Sequence, residues 1–110
     1  MRLFFRKKKP KELSAAERLN GIETTYMARR YLDADGSPKE DGIGKGGRIN
    51  TANGHVILTC GSRDVFVNRD IGSVECAELM SLNGAIFSGF NEVTGEEDTI
   101  VVYYASLFRT

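Results

Sequence analysis

The residues best equipped for chemistry in this chain are one histidine, His55, and two cysteines, Cys60 and Cys76. A structural zinc site takes four ligands and usually includes a close Cys or His pair. No C-x-x-C or H-x-x-x-H occurs here, and the three candidates stand five and sixteen positions apart. A Cys–His dyad is poorly served too. His55 and Cys60 are separated by an odd number of positions, so on one regular strand they face opposite ways. A Ser-His-Asp arrangement would depend on the same His55, which follows the turn pair Asn53-Gly54. Both cysteines are therefore expected as small core residues with free thiols.

Two further patterns come close to a known chemistry and miss it. Gly42-Ile43-Gly44-Lys45-Gly46-Gly47 fits G-x-G-x-x-G, which binds a pyrophosphate only between an incoming strand and an outgoing helix N-terminus. Here a Pro-containing acidic segment leads in and Arg48-Ile49-Asn50-Thr51 leads out. Asp33-Ala34-Asp35-Gly36-Ser37 starts like a calcium loop, but Pro38 and Gly44 occupy the positions that require Gly and Glu. Glu96-Glu97-Asp98 reads as a solvated turn. No catalytic, cofactor or metal residue is assigned, and the expectation is that the chain is not an enzyme.

Charge is more informative. Lys+Arg and Asp+Glu are equal at 15 each, yet residues 1–11 hold six bases and no acid, while residues 64–110 hold two bases and eight acids. The basic segment contributes Arg2, Arg6, Lys7, Lys8, Lys9 and Lys11, together with the apolar Leu3, Phe4 and Phe5. Three apolar residues are too few for a secretory signal, so the chain is expected to start at Met1 and remain cytoplasmic. As a partner-binding segment, Arg2, Phe4, Phe5, Arg6, Lys7, Lys8, Lys9 and Lys11 suit an anionic membrane surface, with the Phe pair inserting. They suit an acidic protein surface equally, including this chain's own acidic half. Phosphates are a further target, at a salt slope of up to about 5. A solvated, disordered tail over 1–12 is the plain alternative.

The remaining residues must supply a scaffold. At 110 residues one domain with a real core is expected, over 13–110. Ser14-Ala15-Ala16-Glu17 is a capping box, and Ala15, Leu19, Ile22 and Tyr26 share a helical face, predicting a helix over roughly 13–22. Ile22–Leu32 also permits an extended reading. Residues 33–47, with five glycines and four acids, read as a long Gly-rich loop. Strands follow: Arg48–Thr51 and His55–Thr59 about a type I′ turn at Asn53-Gly54, then Val65–Val67. Val74–Leu82 and Ala85–Phe90 lie about Asn83-Gly84, with Val74–Leu82 also compatible with helix. A turn over Asn91–Asp98 leads into Thr99–Phe108. Because Ile100 to Phe108 is apolar on both alternating faces, this strand must be central or be covered on its second side.

The fold expected is mainly β within the α+β class: one N-terminal helix, then a small antiparallel barrel or sandwich of five to six strands. This element order is that of Sm-like and SH3-like barrels, by analogy of layout alone. The function expected is a non-catalytic binding or adaptor domain whose basic tail docks on an acidic partner or a membrane surface. A small nucleic-acid-binding barrel is the alternative, and homo-oligomerisation through the 100–108 strand is a further possibility.

Overall fold

The computed structural model describes residues 14–105. Ser14 accepts from the Glu17 amide at 3.2 Å, and the Glu17 carboxylate accepts from the Ser14 amide at 2.9 Å, closing the capping box. The helix, α1, is only Ala15–Arg18, shorter than the 13–22 expected. Its continuation is diverted into pairing. The Gly21 amide donates to the Ile49 carbonyl at 2.7 Å, and the Ile49 amide donates to the Ile22 carbonyl at 2.9 Å. Gly21 takes a left-handed φ of 86°, which turns the chain out of the helix.

Eight strands follow in chain order: β1 (Tyr26–Leu32), β2 (Pro38–Lys45), β3 (Arg48–Asn50), β4 (Val56–Cys60), β5 (Arg63–Asn68), β6 (Glu75–Glu78), β7 (Gly84–Asn91) and β8 (Glu96–Tyr103). They form two antiparallel sheets, ordered β2-β1-β8-β7-β6 and β3-β4-β5. The architecture is mainly β, with two antiparallel sheets and eight strands in place of the five to six expected, and it is not a closed barrel. Between the sheets lie Leu19, Met27, Phe66, Phe87, Ile100 and Val102, all fully buried. Each large side chain buried there contributes about 1.5–3 kcal/mol.

The strand expected to be central is central: β8 lies between β1 and β7. Its two apolar faces have separate uses. Ile100 and Val102 enter the core, while Val101 is fully buried on the other side, outside that core cluster. Tyr26 and Tyr103, opposite each other on β1 and β8, stack with ring centroids 6.0 Å apart on that outer side. A Cβ at Gly42 would collide with the Tyr26 hydroxyl, so the ring extends over β2. The neighbouring Ala28 is fully buried as well. Small residues beneath two rings thus let the sheet cover part of its own outer face.

The Gly-rich loop expected over 33–47 is corrected to the β1–β2 hairpin, with its turn at 33–37 and strand β2 thereafter. Glycine here provides room, for Tyr26 at Gly42 and for the Cys60 sulfur, which would lie 2.9 Å from a Cβ at Gly44. Close approach explains the absence of a period-2 pattern better than flexibility does.

Two turns also differ from expectation. Asn53 and Gly54 do take positive φ (59° and 80°), but within a wider connection whose innermost pair is Asn50 with Ile57. In the β6–β7 reversal the left-handed residue is Leu82 (φ 64°), and Gly84 already belongs to β7. Val74–Leu82 resolves into strand β6 over Glu75–Glu78. Residues 106–108 of the C-terminal strand expectation lie outside the described residues.

Candidate functional site

The candidate chemical residues do not converge. Cys60 is buried on the inner side of β4, while His55 lies outside and shares a 3.1 Å hydrogen bond between its Nε2 and Asn50 Oδ1. Cys76 is a half-buried free thiol on the other sheet, and burial pushes it up to about 12, so it is protonated at neutral pH. Among the described residues no three His, Cys, Asp or Glu side chains gather as a metal site. No helix among them is long and apolar enough to cross a membrane. The tentative partner-binding residues Arg2, Phe4, Phe5, Arg6, Lys7, Lys8, Lys9 and Lys11 lie outside the described residues.

What the fold does build is a surface at one end of the five-stranded sheet. Leu32 ends β1 opposite Pro38, and Phe90 on β7 pairs with Glu97 on β8. Strand alternation puts Leu32, Phe90 and Glu97 on the outer face, because Met27, Phe87 and Ile100 point inward. Arg30, Leu32, Ser88, Glu97 and Thr99 line one shallow hollow there. Leu32 (71% exposed) and Phe90 (45%) are exposed on this face and Val93 (52%) in the β7–β8 turn, while Tyr31 (44%) alternates to the other face, where its hydroxyl meets Asp41.

The same end is acidic, and its bases are already engaged. Arg29 donates through Nε to both Asp98 oxygens, at 2.9 and 3.0 Å. Arg30 meets Glu40 at 2.8 Å, Lys39 meets Asp33 at 3.8 Å and Arg69 meets Glu92 at 3.4 Å. The Arg30 guanidinium is held above its ordinary value, first by its bond to Glu40. Asp35, Asp41, Glu96 and Glu97 have no basic partner among the described residues. Asp35 is held below the usual carboxylate range by the Ser37 amide, so it stays charged. Lys45, Arg48 and Arg63 stand at the opposite ends of their strands, near the 46–47 and 61–62 turns. Arg48 there is paired with Glu23 at 2.9 Å.

Asn91 fixes this end rigidly. Fully buried, it donates through Nδ2 to the Val65 carbonyl (2.8 Å) and to Asp98 (3.0 Å). Its Oδ1 accepts from the Val67 amide (3.1 Å) and the Val93 amide (2.9 Å). One side chain therefore closes the free edge of β5, sets the β7–β8 turn and orients the Asp98–Arg29 pair. Glu96–Asp98, expected as part of a solvated turn over Asn91–Asp98, belong to strand β8, and no sequence pattern singles out Leu32 and Phe90. Their exposure depends on where the strands end, which no local pattern encodes. Glu97 and Phe90 do carry one signal, a charge opposite a large apolar residue about a tight turn. In comparisons with protein-family models, curated proteins and solved structures, nothing matches this chain.

Proposed function

We propose that this chain is a non-catalytic binding module whose contact surface is the acidic, partly apolar end of the five-stranded sheet. Its ligand is a basic peptide segment that also carries apolar side chains. The observation supporting this reading is the row of exposed Leu32 and Phe90 about Glu97, a carboxylate with no described basic partner, on the outer face at strand ends where Asn91 fixes the β7–β8 turn. Apolar contact gives the affinity, and the unpaired carboxylate selects the sign of charge.

Nucleic acid fits this domain less well. Residues 14–105 carry eight bases and fourteen acids, a net charge of −6, which repels phosphate. Fluorescence anisotropy with a labelled ten-residue peptide of alternating Lys and Phe tests the reading, with a Glu/Phe peptide as control. Binding is expected for the Lys/Phe peptide alone, weakening as salt rises. Phe90→Ser and the double change Glu96→Lys, Glu97→Lys are each expected to weaken it about tenfold, or about 1.4 kcal/mol. Equal binding of both peptides, or no effect of either change, would contradict it.

A further inference from the structure

We infer that the outer face of the three-stranded sheet carries a site of its own, separate from the acidic end, for a small organic cation whose apolar body ends in a further O–H or N–H donor. Strand alternation places its parts on one face. Val56, Leu58 and Phe66 point into the core, so Ile57 and Thr59 on β4 and Val67 on β5 point outward, as does His55 just before β4. Asp64 joins them, because the Thr59 hydroxyl donates to its Oδ1 at 3.1 Å. Asn53, His55, Ile57, Asp64, Val67 and Arg69 line one hollow of about 350 Å³.

The floor is apolar and its two ends are polar, the usual make-up of a small-molecule site. Ile57 and Val67 stand opposite each other, both half-buried. At one end is Asp64, which has no basic partner among the described residues. At the other is His55. The Asn50 Oδ1 that it meets at 3.1 Å also accepts from the Ala52 amide, and an amide oxygen only accepts, so the His55 hydrogen sits on Nε2. In the neutral ring Nδ1 is then an acceptor, and no described residue donates to it. Arg69, at the same end, is engaged by Glu92 at 3.4 Å. His55 and Thr59, which pairs with Asp64, are four positions apart, or about 13 Å along the strand. The hollow thus offers two acceptors, one of them charged, across an apolar floor. An ammonium on Asp64, a donor on His55 Nδ1 and an apolar body over Ile57 and Val67 would satisfy all three. An anion would meet Asp64 and an arginine already paired.

The probe is tyramine, whose ammonium and phenol hydroxyl stand at opposite ends of one ring; phenethylamine lacks the hydroxyl and 4-ethylphenol lacks the ammonium. Each is titrated into the full chain at about pH 8, where a free imidazole is neutral and an alkylammonium charged. Amide NMR shifts are read at Ile57, Asp64 and Val67. Tyramine is expected to bind about tenfold more tightly than either relative, since each lacks one polar contact. Asp64→Asn is expected to weaken tyramine and phenethylamine about tenfold and to leave 4-ethylphenol unchanged. His55→Phe is expected to weaken tyramine and 4-ethylphenol and to leave phenethylamine unchanged. Equal losses for all three ligands would mark a structural effect and overturn the assignment. Equal affinities on the wild-type chain, or titrations that leave these three amides unmoved, would overturn it too.

Discussion

Thr24 holds a hydroxyl whose Oγ1 is buried and has no hydrogen-bond partner, beside Gly47 and the β3 edge. An unpaired buried hydroxyl costs about 1–3 kcal/mol, so Thr24→Val, which keeps the shape, is expected to raise stability by about 1 kcal/mol in urea denaturation. Leu82 is strained in its backbone, at φ 64° with its side chain partly exposed. Leu82→Gly removes that strain at small packing cost, and a gain of about 0.5–1 kcal/mol is expected by the same measurement. Half-buried Cys76 and buried Tyr104 make stability depend on alkaline pH. The Cys76 thiol is raised by burial from 9.0 to about 12, and the Tyr104 hydroxyl, which donates to the Gly84 carbonyl at 3.1 Å, is raised by burial from 10.0 to about 12. A group raised on folding stabilises fully below its unfolded value and loses that contribution as pH climbs through the folded one. Stability is therefore expected to be insensitive to these groups below about pH 9 and to fall between pH 9 and 12. The slope is at most about 1.4 kcal/mol per pH unit for each group. Cys76→Ala should flatten it, and an unchanged slope would count against the assignment.

At the scale of elements, legibility in sequence followed how local the cause was. Strand β8 could be read because Ile100, Val101 and Val102 are consecutive and apolar, and a strand apolar on both faces has few places to go. The capping box was readable too, since Ser14 and Glu17 lie three apart; the end of α1 was not, because pairing of residues 21–24 with β3 decides it. Strand β2 was hidden for the opposite reason. Gly42 and Gly44 look like flexibility until Tyr26 and Cys60, distant in sequence, occupy the space above them. The acidic end was hidden likewise, since no window of sequence places Leu32 beside Glu97. Asn91 is the element-scale hinge of that end, because the edge of β5 and the β7–β8 turn both depend on it. Asn91→Ala strands the Val65 carbonyl and two amides, and a loss of about 3–4 kcal/mol is expected. Thermal unfolding unchanged within a degree would show that the edge is held by something else.

For the whole molecule, acidic side chains outnumber basic ones at one end of the five-stranded sheet, within a body of net −6 over residues 14–105. What the fold adds to that charge is a specific place, where exposed Leu32 and Phe90 flank Glu97 and the nearby Arg29 and Arg30 are already paired. Surface ion pairs alone contribute little. The account therefore requires apolar burial and charge together, which explains why the Phe90→Ser and charge-reversal variants are expected to have similar effects. The measurement that tests this most directly is amide shift mapping of the full chain during titration with the Lys/Phe peptide at physiological salt. The account predicts saturable shifts at Leu32, Phe90, Val93, Glu96 and Glu97, and none there with the Glu/Phe control. Shifts confined to the β3-β4-β5 sheet, or no saturable shifts at all, would contradict it.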